Sequence, residues 1–193
     1  EMNCGAVITN EKTHQKYFIQ APALFPKVSI INPYLQSSVS KEYLVYSASD
    51  VIAHCIEGYF TATAHPTLVS KQIEAIITTI METTEVLIEN PNDYEARAEF
   101  AWAATCALNG LTHVGVSGMN FPNHMIEHAI SAICNVPHGA GLSIVMPAWM
   151  KWYHKKNEAQ FRRFAKAVFG LEGAEEGIEA LTKWFDKIGT PTK

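Results

Sequence analysis

The sequence predicts a mainly α-helical metal-binding domain preceded by a short β segment, and three observations carry that prediction. From Ser40 onward, stretches with apolar residues at three- and four-residue steps follow one another between capping and breaking residues. Before residue 40 the chain reads as short β-prone runs punctuated by prolines. Two pairs at helical i, i+4 spacing, Asp50 with His54 and His124 with His128, join His138 in offering donors that suit a divalent metal. The expected division is therefore residues 1–39 as strands and residues 40–193 as a helical domain.

The strand candidates are Ala6 to Thr9, Tyr17 to Ile19 beyond the polar Asn-Glu-Lys-Thr-His turn, and Lys27 to Ile31 between Pro26 and Pro33. Three such short runs do not make a self-sufficient sheet, so they read as the edge of a larger one. Ser40 is placed to cap a first helix, with Glu42 in its opening turn, running to about Tyr59. Pro66 starts a second, whose apolar stripe is Val69, Ile73, Ile76, Ile77, Ile80, Leu87 and Ile88, and Asn90-Pro91-Asn92 stops it. A third spans Tyr94 to Leu108 and closes at Asn109-Gly110. Gly115, Gly118 and Pro122 form a loop into a histidine-bearing helix that ends near Asn135. Another helix starts at Pro137 or His138 and runs towards Tyr153, and two more cover Glu158 to Phe169 and Gly173 to Ile188.

Composition narrows the function. A formal charge of −4 and a pI near 6.1, without basic runs, give little to attract nucleic acid or an anionic membrane surface, and point to a small-molecule partner. No apolar run is long enough to span a bilayer, since Thr78, Thr79, Glu82 and Glu85 interrupt the most apolar region. Cys4, Cys55, Cys106 and Cys134 show no Cys-x-x-Cys spacing, which suggests reduced thiols and a cytoplasmic location.

Three of the eight histidines fall between Asn123 and Pro147. A single histidine on an apolar helix is more often a buried, hydrogen-bonded structural residue than a ligand. Asp50 alters that balance, because an acidic residue within the apolar stretch Val45 to Ile56 needs a partner, and a cation is one. The two segments are thus expected to face each other around one ion, with Gly139 and Gly141 leaving room for close contact. Glu57 and Glu127 are either solvated or orient a ligand imidazole. His14, His65, His113 and His154 are expected at the surface, Cys55 as a core thiol, and Phe100, Trp102, Trp149, Trp152 and Tyr153 as packing. A helical metal-dependent hydrolase and a non-catalytic metal-binding module use the same residue types and remain alternatives.

Asp50-x-x-x-His54-x-x-Glu57-x-Tyr59, His124-x-x-x-His128 and Pro137-His138-Gly139 together resemble the signature of the iron-containing alcohol dehydrogenases. His-Met-Ile-Glu-His-Ala-Ile-Ser-Ala and Pro-His-Gly-Ala-Gly-Leu-Ser-Ile-Val-Met-Pro-Ala-Trp-Met-Lys resemble the NADP-dependent butanol dehydrogenase branch, and Glu1-Met2 resembles the opening of the family's central segment. The resemblance implies the helical metal domain of the dehydroquinate synthase-like fold, with strands left from an N-terminal α/β nucleotide domain. It implies Asp50, His54, His124 and His138 as ligands of Fe²⁺ or Zn²⁺. His128 would lie beside the nicotinamide without binding the metal, as a catalytic residue for proton relay or positioning, and Val7 and Lys16 would also contact NADP or NAD. The implied substrate is a small alcohol or aldehyde, and the implied assembly a homodimer. The family's glycine-rich pyrophosphate turn is not in this sequence, so the chain is expected to be inactive alone.

Overall fold

A computed structural model describes residues 2–193, leaving Glu1 of the Glu1-Met2 motif outside it. Strands β1 (Gly5–Asn10) and β2 (Gln15–Gln20) pair antiparallel, with Val7 opposite Phe18 and Thr9 opposite Lys16. The third run expected, Lys27 to Ile31, is not a strand. Prolines at 26 and 33 remove main-chain donors at both ends, no further strand joins β1 and β2 among the described residues, and Val28 and Ile30 project into solvent. The chain instead enters a short 3-10 helix, Pro33–Ser38, capped by the Asn32 side chain.

Among the described residues seven α-helices follow: α1 (Lys41–Thr61), α2 (Thr67–Glu89), α3 (Tyr94–Leu108), α4 (Pro122–Cys134), α5 (His138–Tyr153), α6 (Glu158–Phe169) and α7 (Ala174–Ile188). Their limits follow local chemistry. Ser40 Oγ accepts from the Tyr43 N–H at 3.3 Å to open α1, and an Asp93 carboxylate oxygen accepts from the Ala96 N–H at 2.9 Å to open α3. Gly110 takes a left-handed φ of 99° just beyond α3, and Asn135, at φ 53°, ends α4 in the same way.

Helix α1 is the hub, packed by α2, α3, α4, α5 and α6. Ile52, Ile56 and Phe60 of α1 are wholly buried, as are Ile77 and Ile80 of α2, Leu142 and Met146 of α5, and Phe161 and Phe164 of α6. Phe60 and Phe161 stack with ring centroids 3.8 Å apart. A buried α1 fixes the site, because Asp50, His54 and Glu57 lie on it.

Two other expectations are corrected. Phe100 and Trp149 are buried, but Trp102 and Trp152 are 55% and 67% exposed, because each lies on the outer side of its helix. His154 is buried, not at the surface: its Nδ1 donates to the Lys151 carbonyl at 2.8 Å, its ring meets Phe161 edge-on, and Nε2 faces Glu175 at 3.2 Å. None of the described helices is long and apolar enough to cross a membrane.

Candidate metal centre

Three helices bring four side chains to one point. Asp50 and His54 stand one turn apart on α1, His124 lies in the first turn of α4, and His138 is the first residue of α5. Asp50 Oδ1 is 3.3 Å from His124 Nε2 and 3.5 Å from both His54 Nε2 and His138 Nε2. The convergence depends on a close crossing of α5 over α1, since a Cβ on Gly139 would stand 2.1 Å from the Tyr46 carbonyl oxygen. Pro122, in the first turn of α4, costs no helical hydrogen bond, and Pro137 precedes α5, so the N-terminal ends of both helices adjoin the site.

Behind the imidazoles stand two fully buried carboxylates. Glu57 Oε1 accepts from the His124 main-chain N–H and from His124 Nδ1, each at 2.9 Å, while Oε2 accepts from the Asn123 amide at 3.2 Å. Glu127 Oε2 accepts from His138 Nδ1. With Nδ1 committed in both rings, Nε2 is the nitrogen left facing Asp50. Glu57 was not separable from a solvated residue by sequence alone. The available signal was its position seven residues after Asp50, on the same face of α1. Gly141 makes room for Glu127, whose Cγ would lie 2.7 Å from a Cβ there.

The charge states follow from these contacts. Burial raises the Asp50 pKa, but the close imidazoles of His124, His54 and His138 outweigh it and hold the carboxyl down at about 2. Burial lowers the His124 pKa, and Asp50 and Glu57 together overcome it, holding the ring up at about 9. His54 is pushed down to about 4, mainly by burial. His128 is likewise held at about 4, by burial and by the positive charge of Lys16.

A divalent cation fits these residues. Asp50 is about one-third exposed as a side chain (34%), yet its Oδ1 is buried without a hydrogen-bond partner, as is His124 Nε2. A carboxylate oxygen 3.3–3.5 Å from three imidazole nitrogens, with no hydrogen bond of good geometry to any of them, forms a one-oxygen, three-nitrogen donor set that suits a first-row divalent ion.

His128 stands to one side. Its ring lies 5.3 Å from that of His138 and 6.1 Å from that of His124, and its buried Nε2 has no partner. Lys16 reaches the same side from β2, donating to Ser131 Oγ at 3.0 Å. Val7 is on β1 with its side chain half exposed. Phe121, which sequence reasoning passed over, meets His54, His113 and His124 edge-on. His113 was expected at the surface but is only partly exposed, and its Nε2 is buried. A cavity of about 450 Å³ between α1, α3 and the N-terminal segment opens onto Asp50 and His54, with Leu44, Ser47, Val51 and Phe100 in its wall.

A sequence profile of the Fe-containing alcohol dehydrogenase family, C-terminal part, matches residues 44–193. The chain belongs to the iron-containing alcohol dehydrogenase family. A crystal structure of NADH-dependent butanol dehydrogenase A from Thermotoga maritima superposes with a TM-score of 0.97 at 52% identity, over all of this chain and 50% of that one. The probable NADH-dependent butanol dehydrogenase 1 of Bacillus subtilis is 35% identical over 100% of this chain and 52% of its own length. An NADPH-dependent aldehyde reductase of Escherichia coli is 28% identical over 100% of this chain and 51% of its own. The chain thus spans about half the length of the relatives it matches, and the Fe-containing family's helical C-terminal domain accounts for its fold.

Proposed function

We propose that this chain is the metal-binding part of a longer NAD(P)-dependent alcohol dehydrogenase or aldehyde reductase, acting on small primary alcohols and aldehydes. The observation that carries the reading is the convergence of Asp50, His54, His124 and His138 on one point, with the inner atoms Asp50 Oδ1 and His124 Nε2 buried and unsatisfied. These four residues would hold Fe²⁺ or Zn²⁺, between which an oxygen-and-imidazole donor set does not choose. A divalent ion there supplies Lewis acidity towards an alcohol or carbonyl oxygen, and a nicotinamide supplies or takes the hydride.

The chain's own residues supply the setting. Glu57 and Glu127 fix the ring orientation of His124 and His138, so the nitrogens presented are set before any ligand arrives. His128 turns a buried, unpartnered Nε2 to the side of the site, where it can hydrogen-bond and orient a substrate or relay a proton. The apolar wall of the cavity beside Asp50 and His54 suits a short alkyl chain. Lys16 and Val7, on the hairpin, are the proposed nucleotide contacts. The two butanol dehydrogenases above are named NADH-dependent, which makes NADH the coenzyme to try first. Four free thiols accord with a reducing cytoplasm.

The test is turnover by the full-length protein. Loaded with Fe²⁺ or Zn²⁺, it is expected to oxidise NADH in the presence of butanal and to reduce NAD⁺ with butanol, while residues 1–193 alone are expected to do neither. A metal-loaded full-length protein without nicotinamide-linked turnover of any short aldehyde contradicts the reading.

A further inference from the structure

Glu127 presents a problem that the four ligands do not solve. Its carboxylate is fully buried on α4, and a buried ionised carboxylate is stable only when charge and hydrogen bonds compensate it. His138 Nδ1 occupies Oε2, and Oε1 has no partner. The nearby cation is Lys16, from the hairpin that precedes the helical part of the chain. Its Nζ lies 3.6 Å from Glu127 Oε2 and 3.4 Å from His138 Nδ1, and its side chain is largely buried. Ser131, one turn along α4 from Glu127, fixes that ammonium by accepting from it at 3.0 Å. The contact is built: β2 packs on α4, and Lys16 is held in register opposite Thr9.

We propose that Lys16 is a positioning residue for the metal centre, acting through Glu127 on His138. The ammonium, anchored on Ser131, holds the Glu127 carboxylate turned towards Nδ1 of His138, so that the imidazole presents Nε2 to Asp50. Glu127, His128 and His138 have ligand atoms within 4.8 Å of one another, an arrangement of the type that can hold a cation. The lysine supplies that positive charge as a fixed part of the chain. Metal affinity in the helical domain is thereby coupled to the seating of the N-terminal hairpin, since one side chain belongs to both. The inference rests on the proposed metal site and extends it to a residue that is not a ligand.

The test measures metal binding rather than turnover. In the purified protein, the Zn²⁺ dissociation constant is obtained by competition with a chelator, and the Co²⁺ ligand-field spectrum reports the coordination itself. Lys16→Met is expected to weaken Zn²⁺ binding about tenfold or more, in the range seen when residues that orient ligands are lost, and to shift the Co²⁺ bands. Lys16→Arg, which keeps the charge, is expected to recover most of the affinity. Lys12→Met, at the exposed tip of the same hairpin, is expected to leave both readouts unchanged. The double variant Lys16→Met with Glu127→Gln is expected to bind no more weakly than Glu127→Gln alone, because both act through one contact. Wild-type binding accompanied by an unchanged constant and spectrum in Lys16→Met overturns this inference alone. A wild-type protein that binds no Zn²⁺ overturns the metal site and this inference with it.

Discussion

Glu57 Oε1 accepts two hydrogen bonds from His124, one from the main-chain N–H and one from imidazole Nδ1, both 2.9 Å long. A carboxylate on α1 therefore both caps α4 and selects the nitrogen that His124 turns to the site. Stability and the geometry of the candidate metal site rest on the same side chain.

Removing that carboxylate separates the two roles. Glu57→Ala leaves the Asn123 amide and two His124 donors without their acceptor in a buried setting, and is expected to cost about 3 kcal/mol. Glu57→Gln keeps the shape and one acceptor oxygen, and is expected to lose less stability but about tenfold or more in metal affinity. Urea denaturation and chelator competition measure the two effects. Wild-type stability in Glu57→Ala would show that the contact is not what joins α1 to α4.

Acid stability is expected to report a histidine remote from the site. His65 stacks on Tyr59 and pairs with Ser70 Oγ through Nδ1 at 2.9 Å, and burial followed by the nearby Arg163 pushes its pKa below the ordinary value. The unfolded chain then binds a proton at this ring more readily than the folded one. Its contribution to stability is full above about pH 6.5 and is lost as the pH falls through the depressed folded value. The urea midpoint is expected to drop less between pH 7.5 and pH 5.5 in His65→Gln than in the wild type. Parallel pH profiles would contradict this assignment.

Much of this was legible in the sequence, for identifiable reasons. The limits of α6 and the start of α5 follow from strong periodicity and from Pro137, and the Ser40 and Asn135 boundaries from capping chemistry. The i, i+4 pairs were readable because the helix period alone places Asp50 beside His54. Other features depended on distant partners. Lys27 to Ile31 has strand propensity, but among the described residues no strand pairs with it, so propensity alone does not make it one. The burial of His154 depends on Glu175 and Phe161, which local sequence does not bring near. The tie between Lys16 and Glu127 crosses more than a hundred residues, and only the folded chain displays it.

The central claim is that four residues hold one metal while His128, beside them, does not. Elemental analysis of purified His138→Ala and His128→Ala tests it most directly. His138→Ala is expected to lose most of its metal, and His128→Ala to keep a near wild-type content. Equal loss in the two variants would contradict it.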